Sequence, residues 1–216
     1  MTATSPTADH WPEHADEWFT RLERNNTTEW FDTNRSGHDE IEDASRRFLT
    51  RLAERVGPGE PKVFRLRRDA RFAKGLPPYK TGHRSGLLGE DGIVRWVDIT
   101  SAGLSAAIGQ PVWDRGQLGR ARTALSDPDV ALELSAAFEA AAAVGCRLSD
   151  PELKRPLAGL VGDHPAPQLT RHKSLVVRLA PDGDWRRPGA FDRVAEAMAG
   201  PSGVVGWLVD HVGGPS

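Results

Sequence analysis

A chain of 216 residues with 28 Lys and Arg against 30 Asp and Glu has a net charge of -2, so it lacks the overall positive field of a protein that coats nucleic acid. Its hydrophobic fraction of 38%, with seven Trp, is enough for a buried core, while the lone Cys146 excludes an internal disulfide and a thiolate metal cage. The opening MTATSPTADH has neither a basic nor an apolar stretch, and no apolar run reaches membrane-spanning length, so the expectation is a cytoplasmic protein with no membrane contact.

In chain order, residues 1–9 are polar and are expected to form a disordered tail, followed by one domain over 10–213. Trp11, Ala15, Trp18, Phe19 and Leu22 recur at helical spacing up to Arg24. Asn25 would end that helix, and Asn26 would start a second, with Glu29 completing a capping-box-like pair. Ile41, Ser45, Phe48, Leu52 and Val56 share the face of a longer helix that Gly57-Pro58 stops. Strands are expected at Val63–Arg67, Ser85–Leu88, Ile93–Thr100 and Leu104–Ile108, separated by turn chemistry. Their close spacing makes an antiparallel meander.

Helix returns at Gln117–Leu125 and at Pro128–Val144, the latter with Asp127 as cap and Gly145 as stop. Residues 146–170 read as loop with a short helix near Pro151–Leu153. A strand at Ser174–Leu179 and helices at Phe191–Met198 and Val204–Val212 complete the chain. The fold class is α+β, a mid-chain antiparallel meander with helices before and after it.

The densest chemistry is Arg65 to Thr81, seventeen residues holding four Arg, two Lys, the only Tyr and one Asp. Strand alternation points Phe64 and Leu66 into the core with Arg68 on the same face, where a guanidinium needs a partner. Asp69, the single acid among these cations, predicts direct contact with Arg68 and Arg71. Pro77-Pro78 fixes the path that would return Tyr79 and Lys80 over the strand.

This stretch carries a family resemblance. RLRRDARFAKGLPPYKT, through Phe64, Arg65, Arg68, Asp69, Arg71, Phe72, Pro78, Tyr79, Lys80 and Thr81, resembles the signature of the family named domain of unknown function 2461. An N-terminal block, Asn25-Asn26, Trp30-Phe31 and Asn34-Arg35, is similar to the same family's, except that His38 stands near where it has a tyrosine. With Gly206-Trp207-Leu208 the resemblance covers nearly the whole chain. It implies no activity.

Three readings of the basic stretch stay open. In the leading one, Arg65, Arg68, Arg71 and Lys80 hold an anionic small molecule bearing phosphate or carboxylate, in a cleft over the sheet. Arginine forks bind such groups bidentately. Tyr79, His83 and Asp69 are then the candidate catalytic groups. In the second, the stretch belongs to a nucleic-acid or protein-partner binding module. In the third it is a scaffold's salt-bridge network. No metal site is expected. His10 and His14 sit four apart, but Pro12 intervenes and no acid lies between them as in H-E-x-x-H. There is no P-loop, dinucleotide fingerprint or nucleophile elbow, and no cofactor is expected.

Overall fold

The computed structural model describes residues 8–69, 71, 74–160, 163–179 and 184–215. Among these residues seven helices and six strands follow one another: α1 Ala15–Arg24, α2 Thr28–Thr33, α3 Arg35–Val56, β1 Gly59–Val63, β2 Gly82–Gly89, β3 Val94–Thr100, β4 Gly103–Gln110, α4 Arg115–Leu125, α5 Pro128–Ala143, β5 Arg147–Leu148, β6 Leu175–Leu179, α6 Ala190–Ala197 and α7 Ser202–His211. The strands form one antiparallel sheet in the order β1-β2-β3-β4-β6-β5. The expected α+β class and meander are present. Among the described residues no helix is long and apolar enough to cross a membrane.

The chain divides into two compact units, the first drawn from 1–87, 96–106 and 181–195, the second from 88–95, 107–180 and 196–216. In the first, Trp11 is fully buried, with its ring against Phe48 at 4.9 Å and Phe191 at 4.7 Å, and its indole N–H reaches Ser45 Oγ at 3.2 Å. The C-terminal part of this unit closes it. The Phe191 N–H donates to the Asp9 carbonyl at 3.0 Å, and Arg51 pairs with Asp192 at 2.9 Å. Asp9, placed by sequence in the tail, is thus tied down. Residues 1–7 lie outside the described residues.

In the second unit, Asp114 and Gln117 form a reciprocal capping box at the start of α4. Asp127 caps α5 through the Asp129 and Val130 amides, with Pro128 in the first turn as expected. The Trp207 indole donates to the Val130 carbonyl at 3.1 Å, joining α7 to α5.

Four local expectations need correction. Thr27, not Asn26, caps α2 by accepting the Trp30 N–H. β1 spans 59–63 rather than 63–67. Its Pro61 is tolerated because β1 is the edge of the sheet, where a missing N–H leaves no partner unsatisfied. Pro151–Leu153 is not helical, and among the described residues of that region the short helical turn is Pro167–Leu169. Phe64 is 37% exposed instead of buried, although Leu66 is buried. The reason is a change of register. The Phe64 N–H donates to the Arg84 carbonyl and the Lys80 N–H to the Leu66 carbonyl, so the step from 64 to 66 is matched by the longer step from 84 to 80. Such a bulge breaks simple alternation.

Candidate functional site

The basic stretch does not converge on one point. Arg68 is half-buried and donates from Nε to the Tyr79 carbonyl at 3.3 Å, while its own N–H bonds the Pro78 carbonyl at 2.8 Å. It is a backbone tie. Asp69 meets Arg71 and not Arg68: Arg71 Nη2 lies 2.6 Å from Oδ2 and Nε 3.0 Å from Oδ1. That guanidinium and the Arg71 backbone N–H hold the Asp69 carboxyl below the usual range. Both groups are solvated. Asp69→Ala should therefore leave the midpoint of urea unfolding unchanged within error, whereas removing a partner from a buried pair would lower it clearly.

Tyr79 is buried, its ring stacked on Phe31 with centroids 4.2 Å apart. Its backbone is gripped by Asn26, which donates from Nδ2 to the Tyr79 carbonyl and accepts the Tyr79 N–H on Oδ1, both at 3.0 Å. A side-chain amide presents one donor and one acceptor side by side, so it pairs with an extended residue as another strand would. This explains why Asn26 leaves the capping of α2 to Thr27.

Arg65 and Lys80 are brought together. With Phe64, Gly82, Arg84 and Asp98 they line a cleft of about 260 Å³ on the face of the sheet carrying Arg84. Lys80 Nζ donates to the Arg65 carbonyl at 2.9 Å, which anchors the ammonium. Arg84 is held in a fork by Asp98, with Nε at 2.7 Å from Oδ1 and Nη2 at 2.9 Å from Oδ2. The hydrogen bond to Asp98 raises the Arg84 pKa further. Among the described residues no carboxylate lies within ion-pair distance of the Arg65 guanidinium. Arg84 and Asp98 were missed in the sequence. The available signal was Gly82: a strand begun there, not at Ser85, puts Arg84 on the face opposite His83.

That opposite face carries His83 and Ser85, both buried, against α3 with its His38, Glu42 and Arg46. The His38 and His83 rings are edge to face, 5.4 Å between centroids. Both ring nitrogens of His83, Nε2 of His38 and Oγ of Ser85 have no hydrogen-bond partner among the described residues. Burial drives the His83 pKa down to about 4, helped by the neighbouring His38, and burial lowers His38 as well. Burial works against the Glu42 charge, but the 2.5 Å bond from Arg46 overrides it and keeps the pKa below the usual value. At neutral pH these are two uncharged imidazoles facing an ion pair, deep in the first unit.

The second unit holds a Ser, His and Glu together, but in an order that activates nothing. Ser174 Oγ donates directly to Glu152, whose other oxygen takes the Lys173 N–H at 3.0 Å and lies 3.5 Å from His172 Nδ1. The imidazole does not stand between hydroxyl and carboxylate, so it has no route to the hydroxyl proton. Cys146 lines a mostly apolar cavity of about 370 Å³, and burial raises its thiol pKa, the reverse of activation. His10 bonds the Trp11 carbonyl and His14 lies 3.8 Å from Glu40. Among the described residues no group of three or more His, Cys, Asp or Glu is placed to hold a metal ion.

A family model described as conserved hypothetical protein, DUF2461, matches residues 15–207. No curated protein and no solved structure matches the chain. The matched span includes α1 to β6, the outer cleft and the buried histidines.

Proposed function

We propose that this chain, which belongs to the DUF2461 family over nearly its whole length, binds an anionic small molecule in the cleft lined by Arg65, Lys80 and Arg84. One observation carries the reading: three cations face one cleft, and its single carboxylate, Asp98, is already engaged by Arg84. The Arg65 fork and the Lys80 ammonium then remain for phosphate or carboxylate, one able to bind bidentately and the other as a point charge. Arg84, oriented by Asp98, keeps Nη1 for a third contact. Arg68 and Arg71, turned to the Tyr79 carbonyl and to Asp69, have no part in this site. The backbone tie from Lys80 to Arg65 and the fork on Arg84 fix two of the three cations beforehand, which lowers the ordering cost of binding.

Phosphate or sulfate should raise the melting temperature beyond chloride at matched ionic strength. At ten times Kd the stabilisation is about 1.4 kcal/mol, or roughly 3–5 °C for a protein of this size. Lys80→Ala and Arg65→Ala should each remove the excess over chloride without lowering the melting temperature in chloride alone. Equal shifts with all three anions would refute the site.

A further inference from the structure

We infer that the anion carries a planar aromatic ring, and that the ligand class is a nucleoside monophosphate. This rests on the cleft being an anion site and adds what its rim recognises. Phe64, at 37% exposure, is one of the few large apolar side chains left in solvent, and it lines the same cleft as Arg65, Lys80 and Arg84. Lys62 Nζ lies 5.3 Å from the centre of its ring. Trp96, two residues from Asp98 on β3 and so on the same face of the sheet, is partly exposed, with the Arg84 guanidinium 5.9 Å from its ring centre. One face of the sheet thus offers two aromatic rings and four cations.

A bare phosphate would use only the cations. It makes no use of the exposed part of Phe64 at the cleft's edge. A base stacked on that ring removes apolar surface from solvent on both partners, and the flanking guanidinium and ammonium groups reinforce a flat π-system. Exposed aromatics beside cations on an antiparallel sheet suit unpaired bases for the same reason. The scale favours a single nucleotide over a strand. The cleft, about 260 Å³, lies below the roughly 300–1,000 Å³ of typical small-molecule pockets, so it takes the phosphate while one base rests on its rim, and the net charge of -2 leaves the protein without the overall positive field of a strand binder.

The test is calorimetric titration of the intact protein with AMP, ribose 5-phosphate, adenosine and inorganic phosphate at one ionic strength. AMP should bind at least tenfold more tightly than ribose 5-phosphate. Phe64→Ala should close that gap while leaving the ribose 5-phosphate affinity unchanged, and Lys80→Ala should weaken every phosphate-bearing ligand. Equal affinity for AMP and ribose 5-phosphate would overturn the aromatic inference and leave the anion site standing. No binding of any phosphate would remove both. Tight binding of a single-stranded decanucleotide with a steep salt dependence, and none of AMP, would overturn the nucleotide in favour of a nucleic-acid strand.

Discussion

Gly109→Ala should destabilise the protein by about 3–5 kcal/mol, the range of severe core errors, while the same substitution at Gly119 should stabilise it by roughly 0.5–1 kcal/mol. Gly109 lies in β4 at φ 142°, and a Cβ there would sit 2.1 Å from the Leu175 carbonyl oxygen of β6. The obstacle is backbone that is itself part of the sheet, so it cannot turn aside as a side-chain tip would. Either β4 and β6 separate locally or the second unit unfolds. Gly119 is inside α4, with nothing within 4 Å of its Cβ position, and Ala there only removes backbone freedom from the unfolded chain. Urea unfolding followed by far-UV circular dichroism reads both changes. A Gly109→Ala midpoint equal to wild type would mean that β4 does not approach β6 this closely in solution.

Acidification from pH 7 to 5 should remove about 2 kcal/mol of stability through His83 alone, and about 3 kcal/mol by pH 4. Unfolded, its imidazole takes a proton near pH 6.5, whereas the folded protein resists until about 4. Between those values the unfolded state binds more protons, so stability falls as pH falls. Below about 4 both states are protonated and the loss levels off. His38, also lowered by burial, acts in the same direction, whereas Glu42 of α3, held below its usual value by Arg46, stays ionised through the upper part of this window. His83→Leu has no proton to take and leaves no unpartnered ring nitrogen. It should flatten the decline between pH 7 and 5 without a large loss at pH 7. A variant whose stability falls as steeply as wild type over that interval would place the pH dependence elsewhere.

The sequence showed the cap of α5 and the meander because those signals are local. Asp127-Pro128 and the apolar spacing of α3 need no knowledge of the rest of the chain. The basic stretch was less legible, since its geometry depends on pairing with a distant segment. Whether Arg68 faces a ligand or a carbonyl turns on where Pro78 and Tyr79 lie, and Phe64 reaches solvent only because the register beside β2 shifts. Asn26 and Thr27 are both good caps by type, and the choice between them was made by Tyr79, 53 positions away. Arg65 and Lys80 of the proposed cleft were singled out because they lie inside the charged run. Arg84, Asp98 and Trp96 were not, because each sits among ordinary strand residues. His38 and Ser85 are polar groups buried by tertiary structure, and no periodicity announces that.

The closure of the first unit by Phe191 has a consequence for the order in which the protein can mature on the ribosome. The Trp11 ring is exposed early in synthesis, yet one of the two rings that cover it is made 180 residues later. The Asp9 carbonyl waits as long for the Phe191 amide, and the Arg51 guanidinium waits 141 positions for the Asp192 carboxylate. At typical elongation rates of about 5–20 residues per second, the nascent first unit spends on the order of ten seconds or more without its last wall. The residues of the proposed cleft and their supports, from Asn26 to Asp98, emerge within that interval, so that surface is in place on an unfinished core. Nascent chains arrested before Phe191 should be far more sensitive to protease near Trp11 than chains arrested beyond α6.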